Sequence, residues 1–133
     1  LTPVVPDATE AGIIPLKDFD PDKYDFFEGS GCDQCNNTGF VGRTGLLEIL
    51  SVNGDIREAL LRGATSAEVL LAARRTTPFL SIAELGILKV IRKETTLEEL
   101  LRVTPLVSGE QDTRHFLTLQ DIERISEHTE FGD

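Results

Sequence analysis

The residues of this chain whose types and spacing allow chemistry are Cys32 and Cys35, its only two cysteines, set in a C-x-x-C pair. That spacing brings two thiolates close enough to hold one metal ion. A structural zinc takes four ligands, so the pair supplies half a site. His115 and His128 are the only histidines; both lie far along the chain without ligand-like local spacing. Haem attachment requires C-x-x-C-H, and Asn36 occupies the histidine position. A redox pair needs a depressed thiol pKa, typically at a helix N-terminus; here Asn36-Asn37-Thr38-Gly39 reads as a turn. Cys32 and Cys35 are therefore the candidate metal ligands, in an incomplete site.

Other candidates fail on mechanism. Asp18, Asp20 and Asp22 alternate like the start of an EF-hand loop, but Lys23 stands where the turn requires glycine. Gly29 stands where a bidentate glutamate is needed. Arg43, between Gly42 and Gly45, reads either as an anion contact on a glycine-rich turn or as an ion-pair partner of Glu48 or another local carboxylate; the structural reading is favoured. Arg74-Arg75 and Arg92-Lys93 fall at expected helix ends, where they complement the helix dipole. No G-x-x-x-x-G-K-[ST] occurs, so nothing in these 133 residues cradles nucleotide phosphates. No catalytic residues are expected.

The run from Gly31 to Glu48, with cysteines at 32 and 35, Thr38-Gly39, Gly42-Arg43, Gly45 and Glu48, resembles the second cysteine pair of the type II secretion and type IV pilus assembly ATPases. Gly63-Ala64-Thr65-Ser66-Ala67-Glu68 resembles that family's next helix start. Leu85-Gly86-Ile87-Leu88-Lys89-Val90 resembles its D-G-hydrophobic-K-V step, with Leu85 where aspartate is usual. Glu94 to Thr104 resembles its closing helix. The resemblance covers roughly residues 31 to 104. It implies a C-terminal region of a cytoplasmic motor that forms a homo-hexamer, uses ATP and Mg, and acts on inner-membrane platform proteins. In this part of the motor it implies subunit packing and docking rather than catalysis. The family's first cysteine pair has no counterpart: Thr2 and Val5 stand in its place, and neither is a zinc ligand. No cofactor, zinc included, is expected in this stretch. A motorless adaptor derived from the same family is a second reading. A zinc-dependent module like the cysteine-rich domain of J-domain co-chaperones is a third, and it predicts further C-x-x-C repeats that are absent.

The elements that must position these residues are legible in part. Residues 1–30, interrupted by Pro3, Pro6, Pro15 and Pro21, read as a loop-rich layer with a short helix or strand near Lys23–Phe27. The segment Leu46–Leu50 reads as a half-buried strand. Helices are expected over Asp55–Arg62 with Gly63 as its stop, from Thr65 to Arg75, from Ser81 to Arg92 and from Thr96 to Val103. Three of them open on capping boxes: Thr65/Glu68, Ser81/Glu84 and Thr96/Glu99. Pro78 and Pro105 block continuation. After a polar linker at Ser108–Thr113, Thr118 caps a last amphipathic helix over Leu119–His128, which either packs back or serves for docking. The fold class is α+β: a degenerate cysteine-motif subdomain (1–50), a helical subdomain (51–107) and an acidic tail (108–133).

The formal charge is −10, with seven acids against two bases in 1–30 and again in 110–133, and balance between them. An acidic surface repels phosphate backbones, so nucleic acid is not an expected partner. No apolar run is long enough to span a bilayer. The absence of methionine and of a signal-like start reads as a piece of a longer protein, and the sparse cysteines as a reducing compartment.

Overall fold

The computed structural model describes residues 2–4, 23–104 and 119–128, with side chains for 23–104 and 120–128. The Asp18–Asp22 loop, Val5, Pro105, the Ser108–Thr113 linker, His115 and Thr118 lie outside the described residues.

The fold is α+β. Strand β1 (Thr2–Val4) pairs antiparallel with β2 (Phe26–Glu28), Thr2 opposite Glu28 and Val4 opposite Phe26. Among the described residues five α-helices follow: α1 (Gly54–Leu61), α2 (Ser66–Thr76), α3 (Ile82–Ile91), α4 (Leu97–Val103) and α5 (Leu119–Glu127). None is long and apolar enough to cross a membrane among the described residues.

The helix starts follow from their caps. Thr65 and Ser81 accept the amides of Glu68 and Glu84, whose carboxylates return to the Thr65 and Ser81 amides at 2.7 and 2.9 Å. This satisfies donors that a helix leaves orphaned. At α4 only half the expected box forms: Thr96 Oγ1 accepts the Glu99 amide at 3.1 Å, while the Glu99 carboxylate turns to Arg102. Asn53 caps α1 by accepting from Ile56 N–H at 3.1 Å. Gly63, at φ 74°, ends α1, with the next amide, Ala64 N–H, reaching back to the Ala59 carbonyl. Lys93 ends α3 in the same left-handed way at φ 63°. A side chain there is disfavoured. Lys93 sets its ammonium 4.6 Å from the Phe27 ring centre, a cation–π contact that helps hold it.

Two clusters exclude water. The larger joins Tyr24 and Phe26 to Leu80, Ile87, Leu88 and Val90 of the α3 region, Leu100 of α4 and Ile122 of α5. The smaller packs Ile56 of α1 against Ala72 and Ala73 of α2 and Phe79. Small alanines on α2 let the two helices approach closely. The last helix packs back on the domain: Ile122 is buried, and Tyr24 donates its hydroxyl to Glu123 at 2.7 Å.

One expected element is absent. Leu46–Leu50 forms no strand; the chain from Phe40 to Val52 is irregular, with Leu47 70% exposed. Apolar alternation suits a strand, but a strand also needs an edge to pair with, and no backbone–backbone hydrogen bond joins 41–52 to another described segment.

Candidate functional site

The cysteine pair sits on a closed turn whose neck is built from glycine. Cys32 is extended, Asp33–Cys35 make one 3₁₀ turn, and Asn36 and Asn37 follow in left-handed conformations at φ 52° and 59°. Asparagine tolerates that region better than most side chains. The turn is pinned by Asn37 N–H to the Cys32 carbonyl at 2.8 Å, and by Thr38, whose amide and hydroxyl both donate to the Cys35 carbonyl at 3.1 and 2.6 Å. At the neck the backbones of Gly29 and Gly39 touch: a Cβ on Gly29 would lie 2.4 Å from the Gly39 carbonyl oxygen. Both positions therefore require glycine.

This turn aims amides at one sulfur. Cys35 Sγ accepts from Cys32 N–H at 3.1 Å and from Gly39 N–H at 3.3 Å. The Gly39 amide, followed by the Cys32 amide, holds the Cys35 thiol down at about 7, against the opposing effect of burial. Cys35 is buried and Cys32 exposed, and their sulfurs lie 3.6 Å apart.

Two thiolates on one tetrahedral zinc would sit about 3.8 Å apart, from Zn–S bonds of about 2.3 Å. The pair thus keeps the shape of half a zinc site. Among the described residues the other half lacks donors. No third His, Cys, Asp or Glu joins the pair among the described residues. The backbone of Thr2 pairs with that of Glu28, four residues before Cys32. His128 is exposed at the end of α5. Among the described residues the donors fall short of a four-ligand zinc set.

Beyond the turn, the glycine run 39–46 faces α3 and α4 across an open groove of about 800 Å³. Leu46, Val90 and Leu100 line it, with Arg43, Lys89, Lys93 and Arg102 among its cations. Lys89 is paired with Glu94 at 2.7 Å and Arg102 with Glu99. Thr104 Oγ1, also on the groove, is buried without a hydrogen-bond partner among the described residues. The Arg43–Glu48 pairing considered from the sequence is not what Glu48 does. Its carboxylate accepts the Ile82 amide at 3.0 Å, tying the glycine run to the start of α3. Arg43 is exposed.

Sequence reasoning assigned Arg74 to the helix dipole and missed its partner. Arg74 Nη2 donates to Glu84, the residue that also closes the α3 capping box. No local pattern announces a contact between the end of one helix and the start of the next. The only hint is an acid at a cap ten residues after a basic pair.

Residues 6–102 match the family model described as Type II/IV secretion system protein. Type II secretion system protein E of Aeromonas hydrophila is 43% identical over 74 residues, 56% of this chain and 14% of that relative. Type IV pilus assembly ATPase PilB of Thermus thermophilus is 37% identical over 78 residues, 59% of this chain and 9% of that relative. Type II secretion system ATPase E of Vibrio cholerae is 38% identical over 78 residues, 59% of this chain and 15% of that relative. The chain thus matches about a seventh or less of the length of these relatives. With most of its residues inside that family model, this chain belongs to the family of type II secretion and type IV pilus ATPases.

Proposed function

We propose that this chain is the noncatalytic C-terminal domain of a cytoplasmic ATPase that powers type II secretion or type IV pilus assembly. In this reading it packs against the motor and its neighbours in a homo-hexamer and docks on the inner-membrane platform. ATP and Mg bind elsewhere in the longer protein, in keeping with the lack of a phosphate-binding loop in these 133 residues. The proposed division is a cysteine-motif part (1–50), a helical part (51–107) and an acidic tail (108–133), with zinc no longer its organiser.

One observation carries this reading. Val41, Leu47, Ile49, Leu50 and Val52, together with Leu60 and Leu61 of α1, are exposed large apolar residues on and just after a segment whose backbone is unpaired within the described residues. Backbone polar groups and apolar side chains left open together are what a sheet edge or an apolar interface covers. In this reading the cover is the motor body of the longer protein.

The test compares amide exchange in 41–52 between the 133-residue chain and a full-length ATPase carrying it, with ATP hydrolysis measured on both. Fast exchange in the short chain, strong protection in the long one and hydrolysis only in the long one is the expected result. Equal, fast exchange in both would remove the packing role. Hydrolysis by the short chain would remove the noncatalytic one.

A further inference from the structure

We propose that Cys32 and Cys35 are a reversible thiol-modification site that closes to an intramolecular disulfide. The knuckle turn already holds the two sulfurs 3.6 Å apart. A disulfide bond of about 2.05 Å needs them only about 1.5 Å closer. Both thiols are free. Among the described residues the chemistry that would otherwise occupy them is short of two donors, since no third ligand joins them there.

The two cysteines are unequal in a way that sets their order of reaction. Cys32 is exposed and meets an oxidant first; Cys35 is buried behind it. With a low-molecular-weight disulfide such as oxidised glutathione, the Cys32 thiolate attacks one sulfur. It forms a mixed disulfide and releases one reduced thiol. Cys35 then attacks the Cys32 sulfur and releases the second. Two protein thiols become one disulfide, and the small disulfide is reduced to two thiols. The amides of Cys32 and Gly39 point at Cys35 Sγ and hold that sulfur in place beside Cys32. Closure turns that sulfur into a weaker acceptor for Gly39 N–H. Oxidation therefore acts on the neck where Gly39 meets Gly29, at the root of the exposed 40–52 segment.

The 133-residue chain is equilibrated in glutathione buffers of rising oxidised fraction, quenched with a maleimide and weighed intact. The expected result is direct passage from two alkylated thiols to none, as a monomer two hydrogens lighter, reversed by dithiothreitol. Cys35→Ser accumulates a stable glutathione adduct at Cys32; Cys32→Ser reacts roughly tenfold more slowly, because its remaining thiol is buried. The proposal is overturned if wild type accumulates glutathione adducts or disulfide-linked dimers, or if both thiols stay alkylatable throughout. It is equally overturned if the purified chain carries one equivalent of zinc that shields both thiols. Should a variant fail to fold, the mass change of wild type alone decides.

Discussion

Arg74, near the end of α2, and Glu84, in the first turn of α3, form an ion pair from which solvent is largely excluded, with side chains 12% and 4% exposed. Glu84 also closes the cap of α3 through the Ser81 amide. Two further nitrogens of Arg74, Nε and Nη1, are buried without hydrogen-bond partners. One carboxylate thus ends a helix–helix joint and starts the next helix, linking the small α1–α2 cluster to the main core.

Removing one partner of such a pair strands the other charge out of water. Glu84→Ala, which also loses the cap, is expected to lower stability by about 3–5 kcal/mol. Replacing both partners by apolar residues, as in Arg74→Met with Glu84→Leu, is expected to cost distinctly less, because no charge is left buried. Urea unfolding of the single and double variants measures this. A loss below about 1 kcal/mol for Glu84→Ala would mean that water reaches the pair.

Gly86 lets α3 and α4 approach. A Cβ there would lie 2.1 Å from Leu100 Cδ1, and Leu100 is only 1% exposed. Gly86→Ala is expected to cost about 1–3 kcal/mol through overpacking, despite alanine's better helix propensity. Combining it with Leu100→Val should cost less than the sum of the two single changes, which a double-mutant cycle reads directly.

At the neck of the turn, Gly39 combines φ 83° with backbone contact to Gly29. Gly39→Ala is strained on both counts and is expected to cost upwards of about 1 kcal/mol. Because Gly39 N–H donates to Cys35 Sγ, the same change should speed labelling of Cys35 by a maleimide in the native state. Unchanged labelling would show that the neck does not guard the thiol.

The Cys35 thiol, held at about 7 against an ordinary value of 9.0 chiefly by the Gly39 amide, links the turn to pH. The folded state favours the thiolate, so this contribution to stability is fully present above the ordinary thiol range. It fades as pH falls from about 9 to about 7 and is absent below that. Thiolate absorbance of the folded wild-type chain should therefore include a titration near 7 that denaturant shifts toward the ordinary value of 9.0. The stability advantage of wild type over Cys35→Ala should widen as pH rises from about 7 to about 9.

Local chemistry determined the parts of this protein that were readable from the residues alone. A capping box is settled within four residues, so Thr65/Glu68 and Ser81/Glu84 place two helix starts without reference to the rest of the chain. Gly63 stops α1 for an equally local reason. The Cys-Asn-Asn-Thr-Gly order likewise specifies a turn, because its hydrogen bonds close within Cys32–Gly39. Tertiary structure decided whatever depends on a distant partner. The apolar pattern of Leu46–Leu50 cannot become a strand without an edge to pair with. Glu48 reaches across 34 residues to Ile82 rather than to nearby Arg43. Tyr24 meets Glu123 across 99 residues, drawing the last helix onto the core. Packing, not propensity, sets such contacts, and their partners are chosen only when the chain has closed loops that no local spacing records.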